Sequence, residues 1–140
     1  MLNFKIKTHK HGRFYNTPHF FILNKGNNAG KPAFEPYRNA FVVCCNNKGD
    51  LQKIYWICAI LHAGSLFKPY HKGSVITFVS ICDIKNLIKE CLFNYDGLYW
   101  QERFKVLKKL EEAEENLRRQ SVNLKNYKIL MMRSYQPQLN

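Results

Sequence analysis

The C-terminal third of the chain contains a long stretch without a helix-breaking residue. Residues 98–134 include no glycine and no proline. Within this stretch, apolar residues recur one heptad apart at Leu110, Leu117, Leu124 and Met131. Their companions at 4–3 spacing are Val106, Ala113, Gln120 and Tyr127. A 4–3 repeat of this length is typical of a coiled coil. We therefore predict one long C-terminal helix with a coiled-coil-like seam.

This helix needs a partner for its seam. A lone surface helix of this length would leave the apolar stripe in water, so it must pack on a helix of its own domain or of a second chain. Because the rest of the chain is small for such a long helix, we favour a second copy. The predicted dimerisation residues are Leu110, Leu117, Leu124 and Met131.

Residues 1–95 are predicted to form a separate globular domain, and residues 96–140 the long helix with a basic tail. Apolar and alternating segments predict strands over residues 4–8, 19–24 and 40–45, and a β-branched run predicts another over 74–81. Helices are predicted over residues 50–62 and 83–92, with Asp50 and Asp83 as their N-caps. The expected fold class is α+β, with a small mixed sheet and two short helices before the long one.

The charge of the chain points to a polyanionic partner. The 140 residues carry 22 Lys and Arg against 10 Asp and Glu, which gives a net charge of +12. Residues 1–49 alone hold eight basic side chains and one acid, Glu35. Such a balance favours nucleic acid first and an acidic membrane second. The length excludes a two-domain enzyme of ordinary size, and 46% hydrophobic residues argue against wholesale disorder.

The sequence favours a cytoplasmic protein that does not enter a membrane. Its first residues alternate polar and apolar types, without the apolar core of a signal peptide. The longest apolar run, residues 54–61, is far short of a membrane span. Five cysteines, an odd number, lie in apolar segments, so we expect free thiols in a reducing compartment and not a disulfide framework.

The loop Lys25-Gly-Asn-Asn-Ala-Gly-Lys-Pro32 invites comparison with nucleotide-binding loops. A Walker loop has four residues between its glycines and Ser or Thr after its lysine, whereas this loop has three and then Pro32. Nucleotide hydrolysis is therefore excluded. Two interpretations remain: backbone N–H groups and lysines that contact a phosphate, or a plain exposed turn.

The residues give little support for an enzyme, and we expect no metal and no cofactor. The five histidines lack the spacing of a zinc site, and there is no CxxC pair. Cys44 and Cys45 are adjacent on a strand and neither is expected to be activated. Outside the last helix only five acids occur. Two of them, Asp50 and Asp83, are predicted caps, which leaves little for a paired-carboxylate site.

Basic and aromatic residues interleave in two segments, residues 9–15 and 67–74. Lysine and arginine can neutralise phosphates, aromatic rings can stack, and asparagine can read adenine. The alternative is that the aromatic residues belong to the core edge and the charges only solubilise. We favour DNA contact from two loops, at Lys25, Asn27, Asn28, Lys31, Arg38, Lys68, His71, Lys72 and Ser74. The competing hypothesis is a protein-interaction module that docks through its long helix and has no nucleic-acid role.

The pattern Lys-Gly-x-Asn-x-Gly-Lys-Pro at residues 25–32, with segments 39–43, 54–58 and 68–78, resembles a family of short uncharacterised bacterial proteins. That resemblance implies kinship without an assigned activity.

The second half of the chain has a more distant resemblance. It rests on the order of elements from Ile54 onward and on two helical segments, Leu-Glu-Glu-Ala-Glu-Glu-Asn-Leu at 110–117 and Leu-Lys-Asn-Tyr-Lys-Ile-Leu at 124–130. These are similar to the target-recognition domain and spacer helix of type I restriction–modification specificity subunits. The resemblance implies a domain that recognises a DNA half-site. It also implies a helix that begins at Gln101, ends at Lys128 and pairs with another such helix. Residues 95–100 replace the Pro-Pro of that family, and one copy is present, so the chain corresponds to half a subunit acting as a homodimer.

Overall fold

The strands and the first two helices belong to a different compact unit from the long helix. The structure is a computed structural model that describes residues 2–94 and 97–137. The chain divides into the units Met1–Tyr95 and Asp96–Asn140. The predicted boundary between residues 95 and 96 lies outside the described residues. The predicted α+β class is confirmed.

The first unit contains a four-stranded sheet built from β1 (Phe4–Thr8), β2 (His19–Leu23), β3 (Pro32–Ala33) and β4 (Ala40–Cys45). The strand order is β1-β4-β2-β3, and each neighbouring pair is antiparallel. The strands predicted over 4–8, 19–24 and 40–45 are confirmed. The prediction of a mixed sheet was wrong, because these strands follow one another without the helical crossover that parallel pairing needs.

The strand predicted over residues 74–81 is also wrong. In this segment only Phe78 pairs, through isolated bridges with Lys25 and Lys72. Gly73 has φ +94°, and the chain turns there so tightly that a Cβ on it would lie 2.6 Å from the Ile76 carbonyl oxygen. The β-branched residues thus form an exposed turn, in which Val75 and Ile76 point to solvent.

Helix α1 (Lys48–Ala63) begins at an asparagine N-cap. The Asn47 side chain accepts a hydrogen bond from the Asp50 backbone N–H at 2.8 Å and donates one to the Asp50 carboxylate at 3.0 Å. The helix is confirmed, but the prediction of Asp50 as its N-cap was wrong. Asp50 is the third helical residue, and the true cap binds both its N–H and its carboxylate.

Helix α2 (Ile81–Phe93) begins in the same way. Ser80 Oγ accepts from the Asp83 backbone N–H at 3.1 Å and donates to the Asp83 carboxylate at 2.6 Å. The predicted cap, Asp83, is again the third residue of the helix, so the prediction placed the start three residues late.

Different parts of the chain pack on the two faces of the sheet. Side chains alternate along each strand, so Phe20 and Ile22 lie on the opposite face from Phe21. The Phe20 ring meets Tyr55 of α1 edge-on at 5.4 Å between centroids, which places α1 on that face. On the other face Phe21 packs with Ala40 and Val42, and the partly buried Tyr15, Tyr37 and Cys44 add to this cluster.

Helix α1 buries one stripe over the sheet, formed by Leu51, Ile54, Ile57, Cys58 and Leu61. Tyr55, next to this stripe, is only partly buried. Gly64 follows the last turn, and its N–H donates to the carbonyls of His62 and Ile60. The end of α1 therefore leaves His62 partly exposed beside the loop that follows.

The predicted long helix is confirmed as α3 (Gly97–Ser134), which begins four residues before Gln101. None of its residues is buried within the unit that it forms. Leu110, Leu117 and Leu124 expose 60%, 66% and 71% of their surface, and Met131 exposes 45%. Within the described part of the chain, no helix has both the length and the apolar character needed to cross a bilayer.

Candidate functional site

The loop of residues 25–31, called the glycine loop below, is a rigid turn. The Ala29 N–H donates to the Gly26 carbonyl at 3.0 Å, and the Lys31 N–H donates to the Asn28 carbonyl at 3.0 Å. Gly26 and Gly30 have φ values of +94° and +102°, which residues with a side chain adopt only at a cost. The two glycines let the chain fold back so that both asparagines are exposed at its tip.

The glycine loop is fastened to the segment after α1, which contains a single 3-10 turn at Lys68–Tyr70. Phe67 is buried against Gly30 and fills the space that a side chain would need. The His71 Nε2–H donates to the Ala29 carbonyl at 3.1 Å. This bond leaves His71 Nδ1 as the ring nitrogen that can face a ligand.

Between these segments lies a cleft of about 520 Å³, called the basic cleft below. Ala29 and Phe67 contribute its apolar wall. Its polar lining comes from three separate parts of the chain and consists of Asn27, Asn28, His62, Ser65, Lys68 and His71. No carboxylate belongs to this lining, so its polar groups are one ammonium, two imidazoles, two amides and a hydroxyl.

The electrostatics of His62 confirm that positive charges converge on the basic cleft. Burial, followed by the positive charges of Lys31, His71 and Lys68, holds the pKa of His62 below its usual value of 6.5. Lys31 therefore acts on the cleft, although it does not line it. An anion in the cleft would offset this repulsion and favour the protonated imidazole.

One predicted cation beside the cleft already has a partner. Lys72 Nζ lies 3.1 Å from an Asp83 carboxylate oxygen. A hydrogen bond from Ser80, and then one from Lys72, hold the pKa of Asp83 below its usual value. Asp83 therefore remains ionised and neutralises much of the Lys72 charge.

The structure brings together part of the set of predicted DNA-contacting residues. Asn27, Asn28, Lys68 and His71 line the basic cleft, and Lys31 acts on it through its charge. The others lie elsewhere: Lys25 and Lys72 bridge to Phe78, Ser74 lies in the turn that follows, and Arg38 is exposed between β3 and β4.

Two cleft residues, His62 and Ser65, were not predicted. They lie about thirty residues from the glycine loop in sequence, at the end of α1. The packing of Phe67 on Gly30 and the hydrogen bond from His71 to Ala29 hold this segment beside the loop. The one available signal was the helix end at Gly64, which exposes the residues around it.

The basic cleft suits binding better than acid–base chemistry. His71 has one nitrogen committed to the Ala29 carbonyl, and the cleft lining offers no carboxylate to orient His62. Among the side chains of residues 2–94 and 97–137, no three His, Cys, Asp or Glu come together as a metal site requires. The available groups match phosphate oxygens, which accept hydrogen bonds from lysine, imidazolium, amide and hydroxyl donors.

Comparison with known proteins gives one match. No curated protein and no solved structure shows significant similarity to the chain. A family model matches residues 6–134. This range includes α1, α2 and α3 and all four strands, apart from the first two residues of β1. The expected kinship with an uncharacterised family is thus confirmed: the chain belongs to DUF6943, a family of unknown function.

Proposed function

We propose that this chain is a cytoplasmic DNA-binding protein that catalyses no reaction, binds duplex DNA through the basic cleft, and acts as a homodimer joined by α3. The observation that carries the proposal is the convergence of Lys31, His62, Lys68 and His71 on one cleft without a lining carboxylate.

The rigidity of the basic cleft supports phosphate binding. The glycine loop is held by its own turns, by Phe67 and by the His71 hydrogen bond, so the asparagines are in place before a ligand arrives. Groups that are already positioned lose less conformational entropy on binding than groups on a mobile loop. The net charge of +12 adds long-range attraction to a polyanion.

The surface of α3 supports the dimer. Its four seam residues expose between 45% and 71% of their surface, and they repeat at the spacing of a coiled coil. A second copy of the helix offers the matching stripe. The resemblance to half of a type I specificity subunit agrees with this arrangement, since two chains would then supply two half-site domains.

The test uses the full chain and a labelled duplex of mixed sequence, with anisotropy measured at several salt concentrations. The paired change Lys31→Ala and Lys68→Ala is expected to weaken binding and to reduce the salt slope by about 0.9 for each lost phosphate contact. The matched control, Lys85→Ala with Lys89→Ala, removes the same charge from exposed positions on α2. Absence of duplex binding at low salt, or equal losses in both pairs, contradicts the proposal.

One observation favours a second candidate function, a protein-interaction module. In the distal part of α3, Leu124, Tyr127 and Met131 belong to the seam and are exposed. At 100° per residue, Val122 and Ile129 lie on nearly the opposite side and are exposed as well. A helix that is apolar on two sides suits burial between several partner helices. Co-purification with another protein in a fixed ratio, without DNA affinity, would favour this alternative.

A further inference from the structure

The sheet face opposite α1 carries a basic and aromatic surface apart from the basic cleft. On the edge strand β1, Lys5 and Lys7 alternate with Phe4 and Ile6. Lys5 pairs with Cys44 and Lys7 with Val42, so both lysines lie on the face opposite α1.

The loop between β1 and β2 places a fixed aromatic ring on this face. The Tyr15 hydroxyl and His9 Nδ1 share a hydrogen bond of 3.0 Å. The Tyr15 ring lies 5.2 Å from His19 and 6.4 Å from Phe21, measured between centroids. The Arg13 guanidinium carbon lies 5.9 Å from the centre of the same ring. Tyr15 is therefore held by contacts on several sides and carries a cation beside it.

Phe14, the residue before it, has the opposite environment. Its side chain is 93% exposed, although removing a phenylalanine ring from water is favourable. Phe14 lines a groove of about 710 Å³, called the sheet groove below. Its charged and aromatic lining includes Lys5, Lys7, Arg13 and Tyr15, with Asn16 beside them and no carboxylate in the lining.

We propose that the sheet groove binds single-stranded nucleic acid, with a base stacked on Phe14 and the phosphates held by Lys5, Lys7 and Arg13. Stacking on aromatic rings along a cationic groove is a general way to hold an unpaired strand. A duplex keeps its base faces stacked on one another, so an exposed ring on an open sheet face suits an unpaired strand better. An acidic peptide would meet the same cations but would have no planar base for Phe14.

The sheet groove shares no lining residue with the basic cleft, so single-strand binding and duplex binding can be tested independently of each other. Base faces and phosphates are common to DNA and RNA. The groove is therefore expected to bind oligodeoxythymidylate and oligouridylate of about 15 nucleotides with affinities within about three-fold of each other.

The experiment uses the full chain and fluorescein-labelled oligomers. Phe14→Ala is expected to weaken binding of oligodeoxythymidylate by at least about five-fold, and Phe14→Tyr to restore it. Because Phe14 is so exposed, neither change is expected to disturb folding, which circular dichroism checks. The pair Lys5→Ala and Lys7→Ala is expected to weaken binding and to lower its salt dependence. The pair Lys85→Ala and Lys89→Ala, which removes the same charge from exposed positions on α2, serves as the control and should leave single-strand affinity nearly unchanged.

A second readout reports stacking directly. Irradiation of an oligomer that contains 5-iodouracil, followed by mass spectrometry of the digested protein, is expected to find the crosslink at Phe14 or Tyr15. The proposal is overturned if Phe14→Ala binds oligodeoxythymidylate as tightly as the wild type, or if polyglutamate competes as well as an oligonucleotide. It is also overturned by a crosslink confined to the glycine loop, or by affinities for the DNA and RNA oligomers that differ by more than about ten-fold. Duplex binding through the basic cleft could survive any of these results.

Discussion

Gly30 and Phe67 lie in such close contact that the glycine cannot carry a side chain. A Cβ on Gly30 would stand 2.4 Å from Phe67 Cδ2 and 2.7 Å from Cγ. Phe67 is 2% exposed, so it has little room to move away. This contact fixes the distance between the glycine loop and the end of α1, and with it the width of the basic cleft.

The first prediction concerns this contact. Gly30→Ala is expected to lower the free energy of unfolding by about 1–3 kcal/mol from backbone strain alone, because φ is +102°, and further through the clash with Phe67. Urea denaturation measures the loss. Gly26→Ala is the matched control, since Gly26 has φ +94° but nothing within 4 Å of its added Cβ. Equal losses in the two variants would contradict the importance of the Phe67 contact.

The second prediction concerns Lys72, whose charge is paired with Asp83. Lys72→Ala is expected to weaken duplex binding less than Lys68→Ala, for which we expect roughly a five-fold loss at moderate salt. Asp83→Asn keeps an acceptor for Ser80 and releases Lys72, so it is expected to tighten binding. Anisotropy titrations of the single and double variants form a thermodynamic cycle. If Lys72→Ala weakens duplex binding equally in the wild type and in the Asp83→Asn variant, then Asp83 does not neutralise Lys72.

The third prediction concerns the pH dependence of stability. The pKa of His9 is lowered by burial and by His11 and His19, and that of His62 by burial and its cationic neighbours. The unfolded chain, with imidazole pKa values near 6.5, then binds more protons than the folded chain. The contribution of the two histidines to stability is therefore fully present above about pH 6.5. It decreases as the pH falls from there through their folded-state pKa values.

Urea midpoints at about pH 7.5 and about pH 5 measure this effect, since most carboxylates remain ionised over that range. The double change His9→Gln and His62→Gln is expected to reduce the difference between the two midpoints. Lys89→Gln, at an exposed position on α2, is the control. A pH dependence that is the same in the wild type and the double variant would show that other groups cause it.

The fourth prediction concerns the seam of α3. The wild-type chain is expected to have a solution mass of twice 16.6 kDa. Leu124→Lys places a charge in the seam and is expected to shift the mass to that of one chain. Asn126→Lys adds the same charge two residues away, on a different side of the helix, and should leave the dimer intact. Light scattering after gel filtration distinguishes the two states, and a wild-type mass of 16.6 kDa at high concentration would refute the dimer.

The sequence was sufficient for elements whose signal is local. The strand over residues 40–45 is an uninterrupted apolar run, and α3 has neither glycine nor proline after its first residue, Gly97, so both were predicted correctly. The helix starts were placed late because Asp50 and Asp83 are themselves good caps in isolation. The residue three positions earlier, Asn47 or Ser80, is the cap that the structure uses, and its side chain accepts the backbone N–H of the aspartate.

Elements that depend on distant contacts were not predictable in this way. Val75 and Ile76 have strong strand propensity, but the tight turn after Gly73 exposes both, because no neighbouring strand pairs with this segment. His62 reaches the basic cleft only through the contact of Phe67 with Gly30. Likewise, segment 9–15 was recognised as basic and aromatic, but its placement beside Lys5 and Lys7 required the pairing of β1 with β4.

The exposed seam of α3 has a consequence for how tightly the proposed dimer would hold an extended polyanion. Two chains joined along that seam would present two basic clefts and two sheet grooves on one particle. Once one chain is bound, its tethered partner would meet the same polymer at a high effective concentration, so avidity would exceed the affinity of one chain by about 10²–10⁴. Dilution below the dimer dissociation constant would remove this gain, so apparent affinity depends on protein concentration as well as on salt.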